Sequence, residues 1–324
     1  MLTRISAIDK ALTSANRLAA HISPVTGRLH ADYNVAGALS GRARCSSPSL
    51  QNVPRDPRFR SLFVASPGWR LVAGDWSAME LRAAAQISGD AALSALFERG
   101  EDPHRLMAAA LNGIEPSAVT PAQRQAAKPV NFGAIYGVGA QALQRYAWDN
   151  YDLVLTRSEA QRQLDTFERQ FRQLSLWRRR HAELCRSRRS IRIGAEAVKG
   201  IGRVYEFSWN SDPAKRQFNY PQACNLPIQG ACADAAMLAL TMIDARLRLA
   251  GIAGGPVLVV HDEIVVEVPE ADTPEAAALL QQAMTEAFAA TFPGAPLNQL
   301  VKVGTGRTWC EAKDDEPARK VCGS

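Results

Sequence analysis

The chain has 324 residues, enough for two or three subdomains around a large core, with a hydrophobic share of 47% that is ordinary for a globular protein. Its longest unbroken apolar runs are far short of a bilayer's thickness, which argues against a membrane span. The net charge of +6 excludes no class alone, but it is uneven: between residues 157 and 203 basic side chains outnumber acidic ones by more than two to one. The densest part holds Arg178, Arg179, Arg180, Arg186, Arg188, Arg189 and Arg192. Such a run attracts a phosphate backbone, although a solvated helix surface produces the same pattern and is the commoner outcome for a charge run by itself. The six cysteines show no CxxC spacing and no zinc-like arrangement with histidine. Scattered thiols predict a reducing, cytoplasmic setting and no thiol chemistry.

In chain order, Leu2, Ile5, Ile8, Leu12 and Leu18 recur at helical spacing, which predicts a surface helix rather than a targeting peptide. Residues 21–32 contain Pro24 and Gly27 and predict a turn; residues 40–57 are polar and irregular. The turn Ser66-Pro67-Gly68 introduces a short buried strand at residues 69–75, followed by a helix at 77–87. Residues 90–111 and 120–147 read as mainly helical, with Thr120-Pro121 as N-cap and first residue of the second stretch. A long helical region spans 158–190 with Ser158 as its candidate cap, and another spans 231–249. Residues 257–260 and 264–268 form two strands of a hairpin around His261-Asp262-Glu263. Neither an internal repeat nor a low-complexity linker interrupts this order. It predicts an α+β fold: an antiparallel sheet with a helical insertion.

Two acids stand out. Asp75 ends the buried strand and Asp262 sits in the hairpin turn. Singly, each reads as turn or cap chemistry. Presented from adjacent strands of one sheet, the pair makes an oxygen-rich site for Mg²⁺, which prefers a few carboxylates plus substrate phosphates to a full protein cage. Two such ions activate a hydroxyl and stabilise a leaving pyrophosphate. There is no P-loop, so a triphosphate would need side chains to grip it. Arg124, Lys128, Phe132 and Tyr136 recur every four residues and form one stripe on a helix. The cations suit phosphates and the rings suit a sugar or base; an amphipathic helix with core aromatics and snorkelling cations has the same spacing.

These residues also carry a family resemblance. Asp75-Trp76-Ser77-Ala78-Met79-Glu80-Leu81-Arg82 resembles motif A of the family A, bacterial polymerase I type, DNA polymerases. The stretch from Arg124 to Asn131-Phe132-Gly133-Ala134-Ile135-Tyr136-Gly137 resembles motif B, and His261-Asp262-Glu263 with the following Ile-Val-Val-Glu-Val-Pro resembles motif C. Similar patterns occur at Ser40-Gly41-Arg42, Ser49-Leu50-Gln51-Asn52-Val53-Pro54, Asp102-Pro103-His104-Arg105, Asn225-Leu226-Pro227-Ile228-Gln229-Gly230 and Val303-Gly304-Thr305-Gly306 with Trp309. They run in family order over most of residues 27–312.

The resemblance implies a palm in two parts (1–82 and 213–324) around fingers (83–212), and template-directed addition of dNTPs to a primer 3′-hydroxyl. It implies two Mg²⁺ ions, replaceable by Mn²⁺, on Asp75 and Asp262, with the Trp76 carbonyl as a further ligand and Glu263 as an auxiliary acid. It makes Glu80 the steric gate against a ribose 2′-hydroxyl. His104, Arg124 and Lys128 would hold the triphosphate, Lys128 also supplying a proton to pyrophosphate. Phe132 would pack on the sugar and Tyr136 guard the template position. Arg42, Asn225, Gln229 and His261 would contact the primer–template minor groove, whose acceptors are nearly alike for every base pair.

Three departures bear on this. Pro129 falls inside motif B, removing a helix hydrogen bond and inviting a kink. Trp76 replaces the usual tyrosine, and residues 218–223 lack an arginine that many relatives carry. Only about 26 residues precede the palm-like region, so the thumb and both exonuclease domains are expected to be absent. That predicts weak, salt-sensitive DNA binding and poor processivity for this chain alone, with a separate polypeptide or a longer natural chain supplying the missing parts. The competing readings are a single-subunit RNA polymerase, which Glu80 and motif A oppose, and a nucleic-acid-binding remnant with little activity, which the intact acids and stripe oppose.

Overall fold

The computed structural model describes residues 12–35, 37–54, 56–194, 203–206 and 218–313. The chain divides into two compact units. The first comprises Met1–Ser77, Ala235–Phe288 and Val301–Ser324; the second comprises Ala78–Asp234 and Ala289–Leu300. The strands are β1 (Asp32–Asn34), β2 (Arg44–Ser46), β3 (Trp69–Trp76), β4 (Ser190–Ile193), β5 (Arg203–Glu206), β6 (Gly255–Val260), β7 (Glu263–Pro269) and β8 (Val301–Gly306).

The first unit is built on an antiparallel sheet in the order β6-β7-β3-β8. The expected hairpin is β6 and β7, joined by a tighter turn than the sequence indicated. Val260 pairs with Glu263, so only His261 and Asp262 form the connection, and His261 takes the positive φ of 55°. Strand β3 lies centrally, and alternation splits it cleanly. Leu71 and Ala73 join the core that holds Leu258, Val260, Val265 and Trp309. On the opposite face Val72 and Trp76 are buried, and Gly74 lies against the helix Thr273–Thr291. A Cβ at Gly74 would stand 2.4 Å from Met284 Sδ and 3.1 Å from Leu280, so a larger residue there would have to displace the side chains of that helix. Residues 12–19 are helical with Leu18 buried and Leu12 exposed; Leu2, Ile5 and Ile8 of the expected helix lie outside the described residues.

The second unit is mostly helical. Its core contains Leu81, Leu93, Met107, Val130, Ile135, Leu143, Phe167, Phe171 and Leu174, each essentially without exposure. The expected stretch 158–190 is two helices, Arg157–Gln170 and Arg172–Arg188. Its cap is Thr156, not Ser158: Thr156 and Glu159 form a reciprocal capping box, which satisfies two backbone donors where a serine two residues later satisfies none. The basic run is largely a solvated surface, as expected of a charge run, with Arg178 as its buried member. Arg178 is 2% exposed and donates to the Ala134 carbonyl and to Glu168 Oε1 at 3.1 Å, while Arg179 shares Glu168 from the surface.

The expected helix at 231–249 begins earlier, at Tyr220, and runs to Leu249 with Pro227 inside it. By length and composition it could cross a bilayer, because its average hydropathy is high even though no apolar run is long. In the fold it is a core helix: Ala223, Cys224, Ile228, Ala231, Ala235, Ala239 and Ile243 have no exposure.

Candidate active site

In the first unit, strand pairing gathers the acids. Asp75 of β3 faces Glu263 of β7 across the ladder, and the Trp76 N–H donates to the Asp262 carbonyl at 3.1 Å. Two loci far apart in sequence thus meet at one end of one sheet. Cross-strand neighbours share a face, so the Asp75 and Glu263 carboxylates are close like charges. Asp75 is 38% exposed at its side chain and Glu263 only 4%.

The sheet manages that repulsion with cations and donors. Lys313 Nζ donates to Asp75 Oδ2 at 2.5 Å and to Glu263 Oε2 at 2.9 Å. Glu263 also accepts from Trp309 Nε1 at 2.6 Å and lies 4.0 Å from Arg60, whose guanidinium stacks over the Trp309 ring. Burial works against a charge on Lys313, but Asp75 and Glu263 outweigh it and raise its pKa above the ordinary lysine value. Trp309 and Lys313 are four residues apart at a one-turn helix, Trp309–Ala312, whose Thr308–Glu311 capping box fixes it. Sequence reasoning missed Lys313 and Arg60. The spacing of Trp309 and Lys313 was the available signal, but only the fold shows that Glu263 is their shared target.

Among the described residues no three His, Cys, Asp or Glu side chains converge on a common metal position. That donor set still fits a hard cation that completes its shell with substrate oxygens: a half-exposed carboxylate, a second acid in the turn and a neighbouring backbone carbonyl. A cationic ammonium already rests on Asp75. Trp76 is accommodated where a tyrosine is usual, 1% exposed with Nε1 donating to the Met284 carbonyl at 3.2 Å. His261 is exposed at the turn, and Arg42 is half-buried in the bend after Gly41.

In the second unit the expected stripe is present, on a broken helix. Helix Pro121–Ala126 stops at Ala127, and Lys128–Ile135 restarts with Pro129 in its first turn, where a missing N–H costs nothing. Arg124, Lys128, Phe132 and Tyr136 are all half-buried, whereas Ala127, Val130, Asn131, Ala134 and Ile135 between them are buried. The stripe is therefore the outward side of this segment and not its core face.

Its members are tethered. Arg124 pairs with Asp102, which also accepts from the His104 and Arg105 backbone N–H groups at 2.8 and 3.2 Å. Burial opposes a charge on Asp102, yet Arg124 and those donors hold its carboxyl below the usual range. His104 is 8% exposed, and burial pushes its pKa down to about 4, with Arg124 and Lys128 adding to the effect. The ring is thus neutral near pH 7. Asn131 Nδ2 donates to its Nδ1 at 2.9 Å, which leaves the proton on Nε2. The His104 and Phe132 rings are 5.3 Å apart. The Tyr136 hydroxyl donates to Glu80 in the first turn of helix Met79–Ser88. Asn225 and Gln229 are one turn apart and half-buried on helix Tyr220–Leu249, and the buried Asn225 Oδ1 has no hydrogen-bond partner among the described residues.

A family model for DNA polymerase family A matches residues 3–311. This chain belongs to DNA polymerase family A. Curated relatives of this family A chain include the thermostable DNA polymerase I of Thermus filiformis, 37% identical over 298 residues, covering 91% of this chain and 34% of the relative. The DNA polymerase I of Chloroflexus aurantiacus is 36% identical over 271 residues, covering 82% of this chain and 28% of the relative. The chain thus spans about a third or less of the length of these two relatives. Among solved structures it is similar to the POL domain of Pol1 from M. smegmatis in complex with DNA primer-template and dNTP. That likeness has a TM-score of 0.81 at 27% identity, covering 94% of this chain and 52% of the other. The α+β reading, with an antiparallel sheet and a helical part, agrees with this fold.

Proposed function

We propose that this chain carries out template-directed DNA synthesis, joining a dNTP to a primer 3′-hydroxyl with release of pyrophosphate. The observation that carries the reading is the β3–β7 pairing, which sets Asp75 beside Glu263 and the Asp262 turn at one sheet end. Family membership and the primer-template and dNTP of the M. smegmatis structure support it.

In this reading Asp75, Asp262 and the Trp76 carbonyl hold two Mg²⁺ ions, for which Mn²⁺ can substitute. Bound there, the ions supply Lewis acidity to the attacking hydroxyl and to the leaving pyrophosphate. Glu263 acts by position: its bond to Trp309 and the nearby Arg60 hold the end of β7, on which the Asp262 turn depends. Arg124 and Lys128 bind the triphosphate, and Lys128 Nζ holds the proton that pyrophosphate takes on leaving. His104 presents its Nε2–H as a neutral donor. Phe132, braced by His104, packs on the deoxyribose. Glu80, fixed by the Tyr136 hydroxyl, leaves no room for a 2′-hydroxyl. Arg42, Asn225, Gln229 and His261 contact the primer–template. Residues 1–82 and 213–324 form the palm and 83–212 the fingers, and thumb or exonuclease functions would come from a separate polypeptide or from further residues of a longer chain.

The test is primer extension with Mg²⁺, comparing wild type with Asp262→Ala, and dNTPs with rNTPs. Extension by wild type with dNTPs alone, lost in the variant, is the expected result. Efficient rNTP use would favour an RNA polymerase, and DNA binding without extension by either protein would favour a non-catalytic remnant.

A further inference from the structure

The ammonium of Lys313 lies between two acids that the strand register forces together. Glu263 has other partners for its charge: Trp309 Nε1 at 2.6 Å and the Arg60 guanidinium at 4.0 Å. For Asp75, Lys313 is the one recorded side-chain partner among the described residues. Lys302 is opposite Asp75 on β8 but is exposed to water. Lys313 itself is largely enclosed, with 15% of its side chain exposed. A lysine ammonium is a compact point charge on a flexible stem, so it can withdraw from one acid without moving the backbone.

We propose that Lys313 is a resident counterion of the metal site: it neutralises Asp75 in the metal-free chain and leaves that carboxylate when a divalent cation binds, so that metal loads by exchange of cations. The exchange is asymmetric. Glu263 keeps Trp309 and Arg60 throughout, so β7 and the turn stay in place while only Asp75 changes partner. Lys313 thereby sets the metal affinity and protects the acid pair from mutual repulsion between reaction cycles. This inference rests on the proposed metal-binding role of Asp75.

The experiment titrates the full chain with Mn²⁺ alone, reading free Mn²⁺ by electron paramagnetic resonance, for wild type, Lys313→Met, Lys313→Arg and Asp75→Asn. Lys313→Met removes the competing charge and its repulsion and is expected to bind Mn²⁺ roughly tenfold more tightly. Lys313→Arg is expected to bind no more tightly than wild type, and Asp75→Asn to lose the site. If wild type and Asp75→Asn behave as stated but Lys313→Met gains nothing, the counterion role is overturned and the metal reading stands. If wild type fails to bind, or Asp75→Asn binds like wild type, the metal reading falls and takes the inference with it. A second measurement needs no variant: acetylation of Lys313 in the folded wild type, read by mass spectrometry against the chain's other lysines. Mn²⁺ is expected to raise it severalfold by releasing the amine, and unchanged labelling at saturating Mn²⁺ would overturn the exchange.

Discussion

The acidic sheet end and the cationic helix stripe are held by different means. At the sheet end, backbone register does the positioning: Asp75 is opposite Glu263 because β3 and β7 pair, and every residue back to Trp69 repeats that pairing. A one-residue slip would turn all the acids to the other face, so the geometry is secured by the whole sheet. On the stripe, the backbone is interrupted at Ala127, and single tethers do the work: Arg124 to Asp102, Tyr136 to Glu80, His104 to Asn131. A ligand that takes Arg124 must compete with Asp102 for it. The sheet end is thus a fixed platform, and the stripe is a set of side chains already engaged with partners that any ligand would have to displace.

The largest expected effect is on the platform. Asp75→Asn should lower the rate of primer extension by about 10³-fold or more, several kcal/mol of transition-state stabilisation, with an unchanged melting temperature. A variant retaining a tenth of the wild-type rate would mean that β3 does not carry the chemistry.

Next comes the pH response of the stripe. The His104 ring has a folded pKa of about 4 against 6.5 for a free ring. Above pH 6.5 it is neutral in both states and full stability is present. Between 6.5 and 4 only the unfolded ring takes up a proton, so stability falls as pH falls, by about 3 kcal/mol across the window. Chemical denaturation of wild type and His104→Gln from pH 7 to 4 should show the excess slope in wild type only; parallel slopes would place the ring in contact with water.

A smaller effect probes the packing of the sheet. Gly74→Ala places a Cβ against Met284 Sδ and should cost about 1–3 kcal/mol in urea denaturation. A neutral result would show that helix Thr273–Thr291 yields, and that the platform is softer than its register implies. The smallest concerns the helix that carries Arg124. Thr120→Ala removes half of the capping box with Gln123 and should cost about 1 kcal/mol, read as a lowered melting temperature. It should also raise the KM for dNTP more than it lowers kcat, since Arg124 is held by a tether and not by a sheet.

The two regions also differ in how far they could be read in advance. The strand ending at Asp75, the hairpin around Asp262 and the four-residue stripe all follow from local pattern, because burial on a sheet and exposure on a helix impose periods of two and of about 3.6. The break at Ala127 was legible too, since proline's missing N–H is a local property. The exact turn was not: that His261 rather than a three-residue loop makes the bend depends on the register with β7. The cap at Thr156 was misplaced by two residues because Ser158 and Thr156 are equally good in isolation, and the reciprocal bond with Glu159 decides between them. The arginine run is mostly the solvated surface its charge suggested, but charge says nothing about which member turns inward, and Arg178 does so to meet the Ala134 carbonyl.

By itself the sequence determined the class of fold, the order of its elements and the candidate residues for holding a metal, a phosphate or a sugar. These are matters of residue type and spacing, which local sterics and burial translate directly into shape. Only the tertiary structure decided what each of those groups touches. Lys313 on Asp75, Trp309 and Arg60 on Glu263, and Asp102 on Arg124 are partnerships between segments far apart along the chain or across a helix junction. Their reason is electrostatic: a charge drawn into a partly buried site needs a counterpart within a few ångströms, and which one arrives there is settled by packing.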